Sequence, residues 1–229
     1  MITPYDSITI EISPAVEDYL KAVYRLEQAG LPAQTKRICE ELDGIKSASV
    51  SAMLKRLADA GLLEYTPYQG VTLTSKGRRI SLAVLRKHRI LELFLVLEMG
   101  YSWEDVHEEA ENLEHHASDK LIEKIAAKLG YPEFDPHGDP IPDAQGSLPA
   151  RETLLLAEAP IGREMRVFRV LDQNPGRLSF YGNNGLAPGS AVTVRSRELE
   201  NDTINLRVAT GHLTLNMHAA ARILMVRNN

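Results

Sequence analysis

A proline-rich segment, residues 132–149, divides this chain into two parts with different hydrophobic periodicity. Before it, apolar residues recur every three to four positions, which is typical of amphipathic helices. After it, runs such as MRVFRVLD, SAVTVRSRE and TINLRVAT alternate apolar and polar residues, which is typical of β-strands. The segment itself is too rich in proline and glycine for a helix. We therefore predict a mainly α protein with a small C-terminal β domain.

Composition narrows the class of protein. The 229 residues include 44% hydrophobic and 25% charged residues, as in ordinary globular proteins. No stretch approaches the roughly 20 apolar residues of a membrane helix, and the N-terminus does not resemble a signal peptide. With a single cysteine, Cys39, the chain can form no intramolecular disulfide, so we expect a cytoplasmic protein without a membrane partner. A net charge of −5 argues against a non-specific polyanion binder.

The N-terminal part predicts a winged helix-turn-helix. Ser13-Pro14 is typical of a helix start, and we predict further helices over Thr35–Leu42 and Ser47–Ala60. Alternating apolar residues on either side of a Pro-Tyr-Gln-Gly turn then predict a hairpin, the wing. This order of elements is typical of proteins that read DNA with their third helix, although a packing module without such a function has the same pattern.

Candidate DNA-contacting residues lie on the second and third of these helices. Between Gln34 and Leu57 five basic residues face three acidic ones, a local balance of +2 that suits phosphate contacts. The exposed side chains are mostly small, so we expect groove shape to contribute to recognition. The predicted contact residues are Thr35, Lys36, Arg37, Lys46, Ser47, Ser49, Ser51, Ala52, Lys55 and Arg56.

A long helix is predicted from Arg78 to Leu97. It ends in the apolar run ILELFLVLEMG, which is more apolar surface than one small domain requires. We therefore predict a homodimer, an arrangement that also suits the reading of two DNA half-sites. On this helix His88 and Glu92 are four residues apart and share one face.

The stretch WEDVHEEAENLEHHA, residues 103–117, carries the strongest indication of chemistry. If it is a helix capped by Ser102, two imidazoles and two carboxylates lie on one face. Such a set binds a divalent metal when a second element adds ligands, although a solvated acidic face has the same pattern. The four residues are His107, Glu111, Glu114 and His115.

Beyond a predicted helix over Ser118–Leu129, the chain offers less chemistry. We interpret residues 132–149 as a linker that packs partly on the preceding domain, with His137 as a surface or turn residue rather than a metal ligand. About five strands after Arg151, with turns at Asn174-Pro-Gly and two later sites, predict a small β-barrel. It could be a stabilising appendage, a peptide-binding module or a contact to the other domains. His212 and His218 are predicted to be structural.

Five motifs in order resemble the diphtheria toxin repressor family of metal-dependent transcriptional regulators. They are VEDYL in the first helix, LTSKGRR after the wing, then RKHRILE, VHEEAENLEHH and DPHGDPIP. The resemblance covers essentially the whole chain. It implies a winged helix-turn-helix over residues 1–75, a helical metal-binding and dimerisation domain over 76–149 and an SH3-like barrel over 150–229.

The resemblance also implies two metal sites in each subunit. The primary ligands would be Asp18, Glu111, Glu114 and His115, and the ancillary ligands His88, Glu92 and His107. Iron-type members have methionine at position 18 and cysteine at 111, so this chain is similar to the manganese-transport-regulator branch there. Oxygen ligands suit Mn²⁺, with Fe²⁺ as the alternative. Lys21 stands where that branch has a further carboxylate, and that branch usually lacks the barrel.

The function implied is that of a non-enzymatic repressor. A dimer would bind palindromic operator DNA when Mn²⁺ or Fe²⁺ is plentiful and so control metal-uptake genes. One alternative is a DNA-binding regulator whose metal sites are purely structural. Another is a non-haem metalloenzyme built on two histidines and a carboxylate, but no nucleophile, acid–base pair or cofactor motif accompanies them.

Overall fold

The computed structural model describes residues 10–42, 44–66, 70–172 and 174–227. They form two compact units. The first contains the described residues up to Arg86 together with Pro142–Ser147, and the second contains Lys87–Ile141 and the described residues from Leu148 onward. The long fourth helix and the proline-rich segment each contribute residues to both units. No helix in the described ranges is long and apolar enough to cross a membrane.

The first unit is a winged helix-turn-helix. Its elements are α1 (Pro14–Gln28), α2 (Thr35–Glu41), α3 (Ser47–Asp59), β1 (Leu63–Thr66) and β2 (Gly70–Leu73). Ser13 caps α1 and Pro14 starts it, as predicted. The two wing strands pair antiparallel, with Leu63 opposite Leu73. Apolar residues of the helices and of the wing form one buried core. The predicted turn residues Pro67, Tyr68 and Gln69 and the acidic Asp43 lie outside the described residues.

Three helices follow, α4 (Ser75–Met99), α5 (Val106–Glu114) and α6 (Asp119–Lys128). Helix α4 is longer than predicted at both ends, and α5 is shorter. The predicted cap was wrong, because the Ser102 hydroxyl donates to the Asp105 carboxylate, 2.7 Å away, and α5 begins only at Val106. His115 is the C-cap of α5, although its backbone still has helical angles.

The elements of the C-terminal part are β3 (Leu154–Leu155), β4 (Glu164–Val170), α7 (Pro175–Asn183), β5 (Ala191–Glu198), β6 (Thr203–Val208), β7 (Gly211–Asn216), α8 (Met217–Ala220) and β8 (Ile223–Arg227). The six strands form one antiparallel sheet in the order β3-β8-β4-β5-β6-β7. A buried apolar cluster fills its inner side. The Asn174-Pro-Gly sequence starts a helix instead of a turn, because the Asn174 side chain accepts from the Arg177 backbone N–H (3.1 Å) and Pro175 occupies the first helical position.

The proline-rich segment is more than a linker. Asp135, His137, Asp139 and Ile141 are all buried, and His137 is fully so. The prediction that His137 is a surface or turn residue is therefore wrong as to its exposure. The Asp135 carboxylate accepts the backbone N–H groups of His137 and Asp139, both at 2.8 Å, which folds residues 135–139 into a tight loop. We call residues 133–141 the His137 loop.

Candidate metal centre

Three predicted ligands converge inside the second unit. On α4, His88 and Glu92 face His107 from α5. His88 Nε2 lies 3.0 Å from Glu92 Oε1 and 3.0 Å from His107 Nδ1, and Glu92 Oε1 lies 3.1 Å from His107 Nδ1. A divalent ion with ligands at about 2.1 Å has neighbouring ligand atoms about 3.0 Å apart in octahedral geometry. The spacing of these three atoms therefore fits such an ion.

The partner of the second His88 nitrogen strengthens this fit. His88 Nδ1 lies 2.6 Å from Glu114 Oε2, and both side chains are buried. An Nδ1–H that donates to this carboxylate leaves the Nε2 lone pair directed at Glu92 and His107. The two oxygens of Glu114 have different neighbours, because Oε1 lies 3.2 Å from His115 Nε2. Glu114, itself a predicted primary ligand, thus lies between the predicted ancillary ligand His88 and the predicted primary ligand His115.

Two further residues, which sequence reasoning missed, extend this cluster. His137 Nε2 donates to the Trp103 carbonyl at 2.6 Å, so in the neutral ring Nδ1 is the acceptor. Nδ1 is buried without a hydrogen-bond partner, 3.8 Å from Glu92 Oε2 and 4.0 Å from Asp135 Oδ1. Glu92, Asp135 and His137 can together offer ligand atoms to one ion. The alternation of Asp135, His137 and Asp139 in DPHGD was the only indication in the sequence.

The carboxylates control the charge of the buried imidazoles. Burial opposes protonation of His88, but Glu92 and Glu114 outweigh it and raise its pKa to about 9. Burial likewise opposes protonation of His137, yet Glu92 and Asp135 raise its pKa to about 9. Burial would raise the pKa of Glu92, but the imidazoles, first His88, hold it well below its usual value. His88 and His137 must therefore each lose a proton to bind a metal at neutral pH.

The buried aspartate behaves in the opposite way. Burial, together with the charges of Asp139 and Glu92, raises the pKa of Asp135 well above its usual value. A positive ion between Glu92, Asp135 and His137 would offset the electrostatic repulsion between the carboxylates of Asp135 and Glu92. The donor set consists of imidazole nitrogen and carboxylate oxygen atoms. This chemistry fits a divalent cation.

The other predicted metal ligands are divided between the units. Asp18 is on α1 in the first unit, with its side chain 38% exposed and 3.7 Å from Lys21 Nζ. Glu111 is on α5 in the second unit, and its carboxylate lies 3.5 Å from His107 Nε2. His115 contacts Glu114 as described above. Of the primary set, the second unit therefore holds Glu111, Glu114 and His115.

Most of the predicted DNA-contacting residues are exposed on the first unit. Thr35 and Arg37 are partly buried. The exposed ones are Lys36, Lys46, Ser47, Ser49, Ser51, Ala52, Lys55 and Arg56. The buried stripe of α3 is Val50, Leu54 and Leu57. None of the described side chains caps α3, whose N-cap residue is Lys46. We call this surface, formed by the ten residues predicted above, the α3 face.

The fold and the candidate site are those of a winged-helix protein whose second unit carries a cluster of possible metal ligands. Three families match successive parts of the chain. "Iron dependent repressor, N-terminal DNA binding domain" matches residues 11–71, "Iron dependent repressor, metal binding and dimerisation domain" matches 74–143, and "FeoA domain" matches 154–227.

Individual proteins support the same assignment. The iron-dependent repressor IdeR of Mycobacterium tuberculosis is 38% identical over 132 residues, 58% of this chain and 57% of IdeR. The chain thus spans little more than half the length of that relative. IdeR of Mycobacterium leprae is 30% identical over 214 residues, 88% of this chain and 91% of IdeR. A solved manganese-dependent transcriptional repressor in complex with manganese is 37% identical, with a TM-score of 0.83 over 92% of this chain and 99% of that one.

The chain belongs to the diphtheria toxin repressor family of metal-dependent transcriptional regulators.

Proposed function

We propose that this protein is a metal-dependent, DNA-binding transcriptional repressor that senses Mn²⁺. It binds palindromic operators as a homodimer, in the cytoplasm, and controls genes for metal uptake. The observation that carries the proposal is the convergence of the buried His88 and Glu92 with the partly buried His107, in a chain whose other unit is a winged helix. Fe²⁺ is the alternative effector, because relatives such as IdeR are named for iron.

The proposed primary site has ligands from both units. Asp18 belongs to the DNA-reading unit, and Glu111, Glu114 and His115 belong to the second unit. A bound cation supplies the positive charge that three carboxylates need in order to converge. Such a ligand set favours one arrangement of the two units by its differential affinity for that arrangement. In a dimer, this arrangement would match the spacing of the two α3 helices to the half-sites of an operator.

Lys21 supports a single cation at this primary site. Its side chain is buried and its ammonium lies 3.7 Å from Asp18, one turn along α1. Where the manganese branch has a further carboxylate, this chain therefore carries a tethered positive charge. A second divalent ion beside Asp18 would meet electrostatic repulsion from it.

For the second cation we propose His88, Glu92 and His107 as ligands, with Asp135 and His137 as additional donors. Glu92 is central, since one oxygen faces His88 and His107 and the other faces His137. Carboxylate oxygens throughout both sites favour Mn²⁺, whereas thiolate would favour softer ions. We therefore expect two cations per subunit.

The homodimer is supported by exposed apolar residues in the second unit. Leu97 and Met99, at the end of α4, are 64% and 61% exposed, and Leu121 on α6 is 48% exposed. Leu97 and Met99 belong to the apolar run that ends α4, and exposed apolar patches mark protein–protein interaction sites. A two-fold dimer through this surface suits the palindromic operator proposed above.

The first experiment is fluorescence anisotropy with a palindrome from the protein's own upstream region. Salt is held fixed, and Mn²⁺, Fe²⁺ under anaerobic conditions and a chelated control are compared. We expect tight binding only with metal, and the ion that acts at the lower free concentration is the effector. Equal binding with and without metal would reduce both sites to structural ones.

A matched pair of lysine variants tests the α3 face. Lys55→Gln removes an exposed cation from α3, and Lys128→Gln removes one from α6 that is paired with Glu98. We expect Lys55→Gln to lower the slope of log affinity against log salt by about one, and Lys128→Gln to leave it unchanged. Equal slopes for both variants would argue against DNA contact through α3.

A further inference from the structure

The C-terminal sheet contacts the His137 loop at the place where β4 is irregular. The pairing of β4 with β8 shifts register between Val167 and Arg169, so that Phe168 is an extra residue, a β-bulge. A bulge changes the direction of the side chains and backbone groups that follow it. Here the residues at and after the bulge meet the loop that carries His137 and Asp135.

Backbone and ring contacts fasten the loop to the strand. The Val170 N–H donates to the His137 carbonyl at 3.1 Å. The Phe134 ring packs edge-on against that of Phe168, with centroids 4.9 Å apart. Gly138 has a φ of +86°, and a Cβ built there would lie 2.1 Å from the Phe168 carbonyl oxygen, so only glycine allows this approach.

A charged contact completes the attachment. The Arg169 guanidinium pairs with the buried carboxylate of Asp139, which also lies 3.5 Å from Arg89 on α4. Arg89 further reaches Asp135, at 3.7 Å. Asp139 in turn donates its backbone N–H to Asp135. The strand, the loop and α4 are therefore linked through two arginines and two aspartates next to His137.

Among the described residues, no His, Cys, Asp or Glu of the sheet joins a cluster that could hold a metal ion. We propose that the C-terminal sheet strengthens binding of the second cation without supplying a ligand to it. Arg169 and the β4 backbone at Val170 hold the His137 loop so that His137 Nδ1 and Asp135 face Glu92. Arg169 is thus a positioning residue for cation binding. This inference rests on the second site proposed above.

The test measures Mn²⁺ binding to the full chain by equilibrium dialysis. We expect two cations per subunit in the wild type. Arg169→Gln should weaken one of them by about tenfold, since changes to the partners of metal ligands typically cost 10–100-fold. Arg169→Lys, which keeps the charge, should recover part of the loss. Arg222→Gln is the control, because Arg222 lies just before β8, where its side chain is 3.7 Å from the Asp172 carboxylate.

A second variant approaches the contact from the loop and keeps the test valid if Arg169→Gln does not fold. Gly138→Ala should weaken the same cation. Gly146→Ala is its control: Gly146 also has a positive φ, +84°, but its Cβ would meet only the Leu82 side chain, at 3.4 Å. In the metal-free proteins, hydrogen exchange in residues 133–141 should be faster in Gly138→Ala and Arg169→Gln than in the wild type. The two control variants, Gly146→Ala and Arg222→Gln, should exchange at the wild-type rate there.

The outcomes separate this inference from the proposed function. If both Mn²⁺ ions bind the wild type, Arg169→Gln and Gly138→Ala with equal affinity, the positioning role is overturned and the proposed function stands. If the wild type binds one ion only and DNA binding still requires it, both the second site and the positioning role are overturned, while the primary switch stands.

Discussion

The two proposed ligand sets differ in how the chain supplies them. His88, Glu92 and His107 come from two helices of one compact unit, and their ligand atoms lie within 3.1 Å of one another. The primary set takes Asp18 from the DNA-reading unit and the rest from the other. A cation held by one unit stabilises that unit, whereas a cation with ligands from both couples them. We therefore expect the primary cation to switch DNA binding and the second cation to support it.

The largest expected effect is that of Asp18→Ala. This change removes the one proposed ligand in the DNA-reading unit, so metal-stimulated operator binding should fall by about 100-fold, the upper range of such coupling. The dimer should persist. Anisotropy and sedimentation measure the two properties. Unchanged DNA affinity in this variant would refute a switch based on the division of ligands between the units.

Glu92→Gln should remove the second cation. Glu92 is the buried carboxylate that faces His88 and His107 with one oxygen and His137 with the other, and an amide in its place carries no negative charge for a cation. Equilibrium dialysis should fall from two Mn²⁺ ions per subunit to one, and operator affinity should fall by less than in Asp18→Ala. Glu98→Gln, on the same helix and exposed in an ion pair with Lys128, is the control.

His88→Ala should have a smaller effect, a partial reduction in the DNA response. It removes one ligand of the second cation and the hydrogen bond to Glu114, which is also a proposed primary ligand. The weakened response should therefore require a several-fold higher Mn²⁺ concentration in anisotropy titrations. Loss of the dimer in this variant would show instead that His88 is mainly structural.

The smallest effect concerns the metal-free protein. The pKa of His88 is raised from 6.5 to about 9 in the folded state, so its protonation stabilises the fold fully below pH 6.5. This contribution is lost as the pH rises from about 6.5 through 9. Calorimetry in chelator should show the melting temperature falling across that range, and falling less in His88→Ala. An identical pH dependence in both proteins would contradict the proposed charge state.

The helices before the proline-rich segment, and proposed ligands that lie four residues apart on one helix, could be predicted from the sequence. The start of α1, the winged helix and the pair His88 and Glu92 all follow from spacing of three to four residues or from capping chemistry, which act locally. The same local reasoning failed for Ser102, because its hydroxyl found the Asp105 carboxylate instead of a backbone N–H. It also failed for Asn174, where a cap and a turn have the same sequence pattern.

Local sequence patterns were sufficient to predict most helices and strands, the family motifs and the ligands that share a helix face. The burial of His137, its approach to Glu92 and the contacts between the β4 bulge and the His137 loop arise only in the folded chain. The contacts of His137 with Glu92, Trp103 and β4 join residues about 30 or more positions apart through irregular backbone. No periodicity connects them, and the burial of one polar group depends on partners that only the folded chain brings near.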